Sequence, residues 1–155
     1  IYIMTLISEW GPIIWKFFHT IVESINEDKY NTVYKALFQY IKSICNFLPC
    51  PQCSNHAKEY LKRVKDIHIS TKDGFRNMLF NFHNDVNKRN KKVLFKIEDI
   101  EVYKNYSLIN CYNNFLKIFT KKGNLNQINQ SFQRKLILQR FIGWLQANKG
   151  NFILK

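Results

Sequence analysis

Two cysteines with a proline between them are the residues most suited to chemistry in this chain. Cys50 and Cys53 are two residues apart, and Pro51 follows the first of them. A pair at this spacing either binds a metal ion or alternates between dithiol and disulfide. Proline suits the first turn of a helix, so Cys50 is expected at a helix N-terminus. Free N–H groups and the helix dipole stabilise a thiolate there, which indicates a reactive pair.

Aromatic, imidazole, amide and cationic side chains recur at helical spacing on both sides of this pair. Trp15 and His19 are one turn apart, and His56 lies one turn after Cys53. A second group, followed by several lysines and arginines, comprises His83, Asn84 and Asn87. Such a set suits an aromatic cofactor that carries a diphosphate, because rings stack, amides bond polar edges and cations neutralise phosphates.

The elements that must position these residues read as helices. Apolar residues recur every three or four positions over 12–25, 31–47, 51–64, 71–86, 98–119 and 131–147. Pro12 suits a first turn with Ser8 or Gly11 as cap, Ser70 and Asp73 form a capping box, and Gly123 suits a C-cap. The expected fold is all-α, a four- to five-helix bundle with an additional basic C-terminal helix.

Composition supports one compact domain without a membrane span. The 155 residues are 46% hydrophobic and 15% aromatic, with only 5 glycines and 3 prolines. Long stretches without either residue favour helices. No apolar run approaches the 18 or so residues of a transmembrane helix. Residues 1–7 are apolar but lack the basic segment of a signal peptide, so we expect a protein that is not secreted. Four cysteines then do not indicate a disulfide-stapled scaffold.

Charge is distributed unevenly along the chain. The net charge is +13, and residues 102–155 contain nine Lys or Arg and no Asp or Glu. A uniformly basic segment can contact nucleic acid, an acidic protein or anionic lipid. Compositional drift in a genome rich in Lys, Asn and Ile codons explains it equally well. We do not expect nucleic acid to be the main partner.

Three ordered motifs resemble a known family. Residues 10–19 read W-G-x-x-x-W-x-x-x-H, residues 50–53 read C-P-x-C, and residues 83–87 read H-N-x-V-N. This order is similar to that of the ALR/Erv-type FAD-linked sulfhydryl oxidases, over residues 8–105. The short basic form, with His56 three residues after Cys53, looks most like the members from large cytoplasmic DNA viruses.

The resemblance implies a reaction and roles for the two cysteines. Cys50 and Cys53 would form the redox disulfide, with Cys50 attacked by substrate thiolate and Cys53 facing the isoalloxazine. The protein would be an enzyme that makes disulfides in a dithiol substrate. Electrons would pass through FAD to O2 and give H2O2.

The resemblance also implies a set of FAD-binding residues and no metal ligand. They are Trp10, Gly11, Trp15, His19, Tyr60, His83, Asn84, Val86, Asn87, Lys92 and Tyr103. Tyr60 and Tyr103 would lie on the adenine side.

This sequence departs from the family pattern at several positions, and the expected partners depend on these differences. Only Cys111 stands where members commonly have a second cysteine pair, and no shuttle dithiol is present. Asn90 replaces a common apolar residue. The resemblance therefore implies a separate carrier, such as a thioredoxin-like protein, together with a homodimer. It implies the host cytoplasm at viral assembly sites, and the virion, as locations. Cys45 and Cys111 are interpreted as core thiols, although a bridge between them stays open.

The expected domain organisation has two parts. Residues 8–110 would form the oxidase domain. Residues 111–155 would form a basic helical extension, packed on that domain or docking from it.

Two other functions agree with part of the pattern. A zinc-stabilised helical module for nucleic acid or protein could use Cys50 and Cys53 with His56 or His83. That interpretation leaves Trp15 and His19 without a role. A thioredoxin-like oxidoreductase needs a strand before the cysteine pair, whereas residues 31–47 read as a helix, so this alternative ranks last.

Overall fold

The fold consists of helices joined by short connections. The computed structural model describes residues 2–120 and 128–155, and side chains over 7–120 and 132–155. Its α-helices are α1 Tyr2–Glu23, α2 Tyr30–Cys45, α3 Pro51–Lys62, α4 Asp66–Ile69, α5 Lys72–Arg89, α6 Leu108–Phe119 and α7 Ile128–Ala147. Short 3₁₀ segments are Glu27–Lys29, Ile97–Asn105 and Lys149–Asn151. The all-α class is confirmed, and the extended pairing seen in the described residues is one bridge between Ile25 and Phe152.

Helix α1 begins ten residues before its predicted start. The prediction of Pro12 as the first helical residue is wrong, because Pro12 lies inside the helix. Proline removes one backbone hydrogen bond there, and burial of the apolar face outweighs that loss. Phe18 and Ile21 on this face are almost fully buried. The extra turns carry Trp10 and Gly11 into the same helix as His19.

Helices α3 and α5 are capped by side chains. Cys50 is the N-cap of α3 as predicted, and its Sγ accepts a hydrogen bond from the Cys53 N–H at 3.2 Å. The predicted cap of α5 is wrong by one residue, since Thr71 rather than Ser70 accepts the Gly74 N–H at 3.0 Å. Ser70 instead ends the unpredicted helix α4. A Cβ on Gly74 would lie 2.5 Å from the His68 carbonyl oxygen, so the turn requires glycine.

The predicted helix 98–119 is wrong as one element. The 3₁₀ segment Ile97–Asn105 ends before an extended Tyr106, and α6 starts afresh. Ser107 is the N-cap of α6, and its hydroxyl accepts the Asn110 N–H at 3.2 Å. A serine side chain that bonds the backbone in this way favours a helix start over helix continuation.

Helices α6 and α7 pack into the same hydrophobic core as α1. The rings of Phe17 in α1 and Phe115 in α6 stack at 4.6 Å, and Phe141 in α7 lies edge-on to Phe17 at 6.0 Å. The Ile153 N–H donates to the Ser24 carbonyl at 2.6 Å, which ties the end of the chain to the end of α1. The predicted domain boundary between residues 110 and 111 falls inside α6. Gly123, the predicted C-cap, lies outside the described residues.

Cys45 and Cys111 are separate, free and buried thiols. Cys111 Sγ donates to Thr20 Oγ1 at 3.7 Å. Burial raises the pKa of Cys45 to about 12, so this thiol stays protonated. The bridge that the sequence left open is therefore not formed. None of the described helices combines the length and apolar character needed to cross a membrane.

Candidate functional site

A cavity of about 460 Å³ lies among α1, α3, α5 and the segment from residue 92 to 106. Both predicted catalytic cysteines line it. So do eight of the predicted binding residues: Trp10, Gly11, Trp15, His83, Val86, Asn87, Lys92 and Tyr103. Three others, His19, Tyr60 and Asn84, lie outside the lining, so the structure brings most of the predicted set together around one space.

Cys50 and Cys53 form a disulfide at the N-terminus of α3, with their Cα atoms 5.2 Å apart. The preceding loop is held by a hydrogen bond of 2.9 Å from the Leu48 N–H to Ser54 Oγ. Cys50 is 5% exposed, while Cys53 is half-buried. Both sulfurs belong to residues of the cavity wall. Their different roles stay a prediction, because exposure to the cavity does not distinguish an outer from an inner sulfur.

Two pairs of nearly parallel rings form an aromatic wall of the site, and three of the four rings line the cavity. Trp15 stacks on His83 at 4.1 Å with 5° between the planes. His19 stacks on Tyr103 at 4.4 Å with 12° between the planes. The pairs are joined by a hydrogen bond of 3.0 Å between His19 Nε2 and His83 Nδ1. His19 therefore supports the lining residues from behind.

Both histidines of this wall are neutral near pH 7. Burial, with a smaller contribution from His83, lowers the pKa of His19 to about 3. Burial, with a smaller contribution from Lys92, lowers the pKa of His83 to about 4. A neutral imidazole has one N–H donor and one acceptor, so the shared hydrogen bond needs no charge. The wall is thus a flat and uncharged surface.

Asn84 holds the loop that closes the cavity. Its Nδ2 donates to the Phe95 carbonyl at 2.9 Å, and its Oδ1 accepts the Phe95 N–H at 2.8 Å. These two bonds place the Phe95 ring edge-on to His83 at 4.5 Å. Asn84 was predicted to bind the cofactor directly. The structure places it one step away, as a clamp on the backbone of a lining residue.

The end of α5 turns the chain back towards the cavity. The Lys92 N–H donates to the Asn87 carbonyl at 2.8 Å, and the Lys91 N–H donates to Lys88 at 3.2 Å. This pair of bonds is the Schellman helix end, whose reversing residue adopts a left-handed conformation. Lys91 has that conformation, with φ 57°. The turn brings Lys92 to the cavity, where Lys16 and Arg89 also lie.

The cavity lining is cationic and lacks carboxylates. No Asp or Glu occurs among the described residues that line it, whereas three cations do. Lys16 also lies 3.9 Å above the ring of Tyr106, another lining residue. The arrangement favours an anionic group, such as a phosphate, over a cationic one.

Several lining residues are absent from the set of FAD-binding residues that the resemblance predicts. They are Lys16, His56, Arg89, Asn90, Phe95 and Tyr106. His56 had a usable signal in its spacing of three from Cys53, and its Nε2 lies 2.7 Å from Asp85 Oδ2. Lys16 and Tyr106 had no such signal in the sequence. They are 90 positions apart in the chain, so no local spacing connects them. Tyr60 was predicted but lies elsewhere, stacked on Phe82 at 4.8 Å.

The lining residues fit FAD. Trp10 Nε1 is buried and has no hydrogen-bond partner in the described part of the chain, so it is free to donate to a bound group. A Cβ on Gly11 would meet its nearest atom at 3.8 Å, so glycine leaves room on the cavity wall that no protein atom takes. Flat aromatic walls suit an isoalloxazine, and the cations suit a diphosphate.

The described residues do not supply the zinc site that was weighed above. They contain no group of three or more His, Cys, Asp or Glu side chains placed to hold a metal ion. His56 pairs with Asp85, and His83 pairs with His19. The histidines that zinc would need are thus engaged elsewhere.

These features define a class: an all-α protein with a Cys-x-x-Cys disulfide in the wall of an aromatic, cationic cavity. Residues 12–107 match the model of the Erv1 / Alr family. Since the match spans more than half of the chain, the protein belongs to the Erv1 / Alr family. Residues 108–155, which contain α6 and α7, lie beyond it.

Three relatives illustrate the similarity. The chain is 32% identical over 96 residues to the FAD-linked sulfhydryl oxidase of African swine fever virus (isolate Pig/Kenya/KEN-50/1950), covering 61% of this chain and 79% of that protein. It is 32% identical over 84 residues to the putative FAD-linked sulfhydryl oxidase 096R of Invertebrate iridescent virus 3, covering 54% and 57%. It is 26% identical over 94 residues to FAD-linked sulfhydryl oxidase ERV1 of Arabidopsis thaliana, covering 61% and 49%. No solved structure matches the chain at a comparable level of significance.

Proposed function

We propose that this protein is an FAD-dependent thiol oxidase that forms disulfides in dithiol substrates. Family membership and the names of the relatives support the activity. The observation that carries the proposal for this chain is the position of the Cys50–Cys53 disulfide in the wall of the cavity that also holds Trp15 and His83.

The disulfide carries out the exchange with substrate. A substrate thiolate attacks Cys50, the Cys50–Cys53 bond breaks, and Cys53 leaves as a thiolate. The second substrate thiol then displaces Cys50, so the substrate leaves with a new disulfide. Two reduced sulfurs remain on the protein. Exchange of this kind depends on the thiolate fraction of each sulfur and on the acidity of the leaving sulfur.

The cavity residues bind and orient the cofactor. Trp15 and His83 offer the stacking surface, and Lys16, Arg89 and Lys92 neutralise the diphosphate. When bound, FAD supplies the two-electron acceptor that restores the protein disulfide, and the route by which the electron pair reduces O2 to H2O2.

The test is the visible absorption spectrum of the purified protein before and after dithiothreitol is added under air, together with a peroxide assay. We expect flavin bands that bleach and recover, with peroxide formed. Cys53→Ser is the matched control, because it should keep the flavin bands but not bleach with the dithiol. A colourless protein that contains stoichiometric zinc would contradict the proposal and favour the metal-stabilised module.

Partners and location extend the proposal. We propose a homodimer that oxidises a thioredoxin-like dithiol carrier in the cytoplasm of an infected host cell, at assembly sites and in the virion. The viral relatives and the lack of a second pair near Cys111 support this. Light scattering of the purified protein tests the dimer, and turnover with a reduced carrier against dithiothreitol tests the substrate. A monomer, or no preference for the carrier, would contradict the respective part.

We also propose that residues 8–110 contain the whole redox site, with residues 111–155 as a supporting extension. The cavity lining supports this, because every residue in it except Ile7 lies within residues 8–110.

A further inference from the structure

Arg134 in α7 is a buried cation that has no carboxylate partner among the described residues. It is 3% exposed, and its Nε donates to the Phe47 carbonyl at 2.5 Å. Its Nη2 is buried and has no hydrogen-bond partner in the described part of the chain. Its guanidinium lies 5.9 Å from the Phe119 ring. The residue lies outside the stretch that matches the family, and it is not among the described residues that line the cofactor cavity.

The carbonyl that Arg134 binds belongs to the loop that carries the redox disulfide. Phe47 is three residues before Cys50, so their Cα atoms are at most about 11 Å apart. Leu48, the next residue, is held from the other side by Ser54 Oγ at 2.9 Å. The loop is thus fixed between α3 and α7. Leu48 and Cys50 both line the cavity.

A buried cation needs a nearby anion or dipole to offset its loss of hydration. Among the described residues of the oxidised protein, Arg134 has only a dipole near it. The loss of water around Arg134 lowers its pKa, although arginine remains charged in proteins. The carbonyl end of α2 offsets some of this cost through its dipole. The described salt bridges do not include Arg134. Reduction of the disulfide creates an anion at Cys50 or Cys53, at the end of the loop whose Phe47 carbonyl Arg134 binds.

We propose that Arg134 is a positioning residue for the redox pair: it fixes the Phe47–Cys50 loop, and its charge favours the thiolate of the reduced cysteines. Reduction by a dithiol breaks the Cys50–Cys53 bond and forms one in the substrate. The electron pair remains on the two protein sulfurs, and each sulfur that stays a thiolate leaves its proton in solvent. The inference deepens the proposed function, since it rests on thiol–disulfide exchange at Cys50.

Other titratable groups share the cavity wall with these sulfurs, and they are the same in every variant compared below. They are Lys16, Cys45, His56, His83, Arg89, Lys92, Tyr103 and Tyr106. A difference between variants at position 134 therefore reports on Arg134 alone.

The experiment measures alkylation of Cys50 by iodoacetamide against pH. The protein as purified, with or without bound flavin, is reduced without air, and the label is located by peptide mass spectrometry. Arg134→Gln keeps a donor but removes the charge, whereas Arg134→Lys keeps the charge. We expect Arg134→Gln to raise the apparent thiol pKa by about one unit, which lowers alkylation at pH 7 up to about ten-fold. Arg134→Lys should stay close to the wild type.

Arg140→Met is the matched control, because Arg140 is an exposed cation on the same helix. It should leave the alkylation profile unchanged. A wild-type profile in Arg134→Gln would overturn the proposal and leave Arg134 as a cap of α2. The proposal would also be overturned if Arg134→Gln failed to fold while Arg134→Lys folded. That result would mean that the positive charge is needed for the oxidised protein to fold. Thiol ionisation needs no turnover, so a colourless protein would defeat the proposed function separately.

Discussion

At the residue scale, the chemistry of this protein depends on two cysteines in different surroundings. Cys50 is the buried N-cap of α3, and Cys53 is half-buried on its first turn. The helix N-terminus favours a thiolate at either position. Proximity to the helix end therefore explains why the pair is reactive, but it does not say which sulfur meets the substrate.

The division of roles predicts which variant traps substrate. In Cys53→Ser, a substrate thiol can still form a mixed disulfide with Cys50 when the two are mixed under oxidising conditions. In Cys50→Ser, only Cys53 is left and the expected adduct is at least ten-fold less abundant. Mass spectrometry of the intact protein after incubation with a dithiol peptide measures both. Trapping on Cys53 instead would reverse the assigned roles.

The neutral histidine pair predicts a dependence of stability on pH. His19 and His83 have folded pKa values of about 3 and about 4, below the ordinary 6.5. The unfolded chain then binds protons near pH 6.5 that the folded chain does not. Stability is full above pH 6.5 and falls as pH drops towards 4, by about 1.4 kcal/mol per pH unit for each histidine.

Urea unfolding between pH 7 and pH 4 measures this slope. His83→Gln should lose about half of it, because one of the two buried imidazoles is gone. If the free energy of unfolding changed with pH in the same way in the variant and the wild type, carboxylates and not these histidines would determine the loss of stability at low pH.

At the element scale, the end of α5 determines where the cavity closes. The Schellman bonds from Lys91 and Lys92 reverse the chain, and the Asn84 clamp then fixes Phe95. The reversal uses a lysine at φ 57°, where glycine is the usual residue. A side chain in this conformation costs about 1 kcal/mol.

That conformation predicts a stabilising substitution. Lys91→Gly should raise the free energy of unfolding by about 0.5–1 kcal/mol, since relief of the left-handed conformation exceeds the entropy that glycine adds to the unfolded chain. Lys88→Gly, inside α5 and also exposed, should instead lower it by about 1 kcal/mol. Chemical denaturation compares the two. A loss of stability in Lys91→Gly would show that Lys91 has contacts which outweigh its backbone.

At the scale of the whole molecule, the segment beyond the family match is part of the core. Phe115 is fully buried against Phe17, and Phe141 packs beside them. Arg134 reaches the disulfide loop from the same segment. The extension therefore stabilises α1 and the loop, both of which build the site.

A pair of phenylalanine substitutions tests this. Phe115→Ala should destabilise the protein by about 3–5 kcal/mol, because it leaves a cavity against α1. Phe132→Ala, on the exposed side of α7 with 58% of its surface accessible, should change stability by less than about 0.5 kcal/mol. Thermal unfolding of both variants gives the comparison. Similar values for the two would mean that the extension does not share the core.

Local signals account for the parts of the fold that were predicted correctly. The cap at Cys50, the helix that begins at Pro51 and the face that carries His83 and Asn87 each depend on residues within one or two turns. Errors arose where neighbours compete for one role, as Thr71 and Ser70 do for the start of α5. They arose also where burial overrides a breaker, as at Pro12.

By itself, the sequence determined the helical class, the reactive pair at a helix start and ten of the residues that line one cavity. The helical class and the reactive pair follow from hydrophobic period and motif spacing, which act over short stretches of chain, whereas most of the cavity residues follow from the family resemblance. Only the tertiary structure decided that His19 stacks on Tyr103, that Asn84 clamps Phe95 and that Arg134 binds the loop before Cys50. The partners Phe47 and Arg134 are 87 positions apart, and packing of whole helices, not local pattern, brings such residues together.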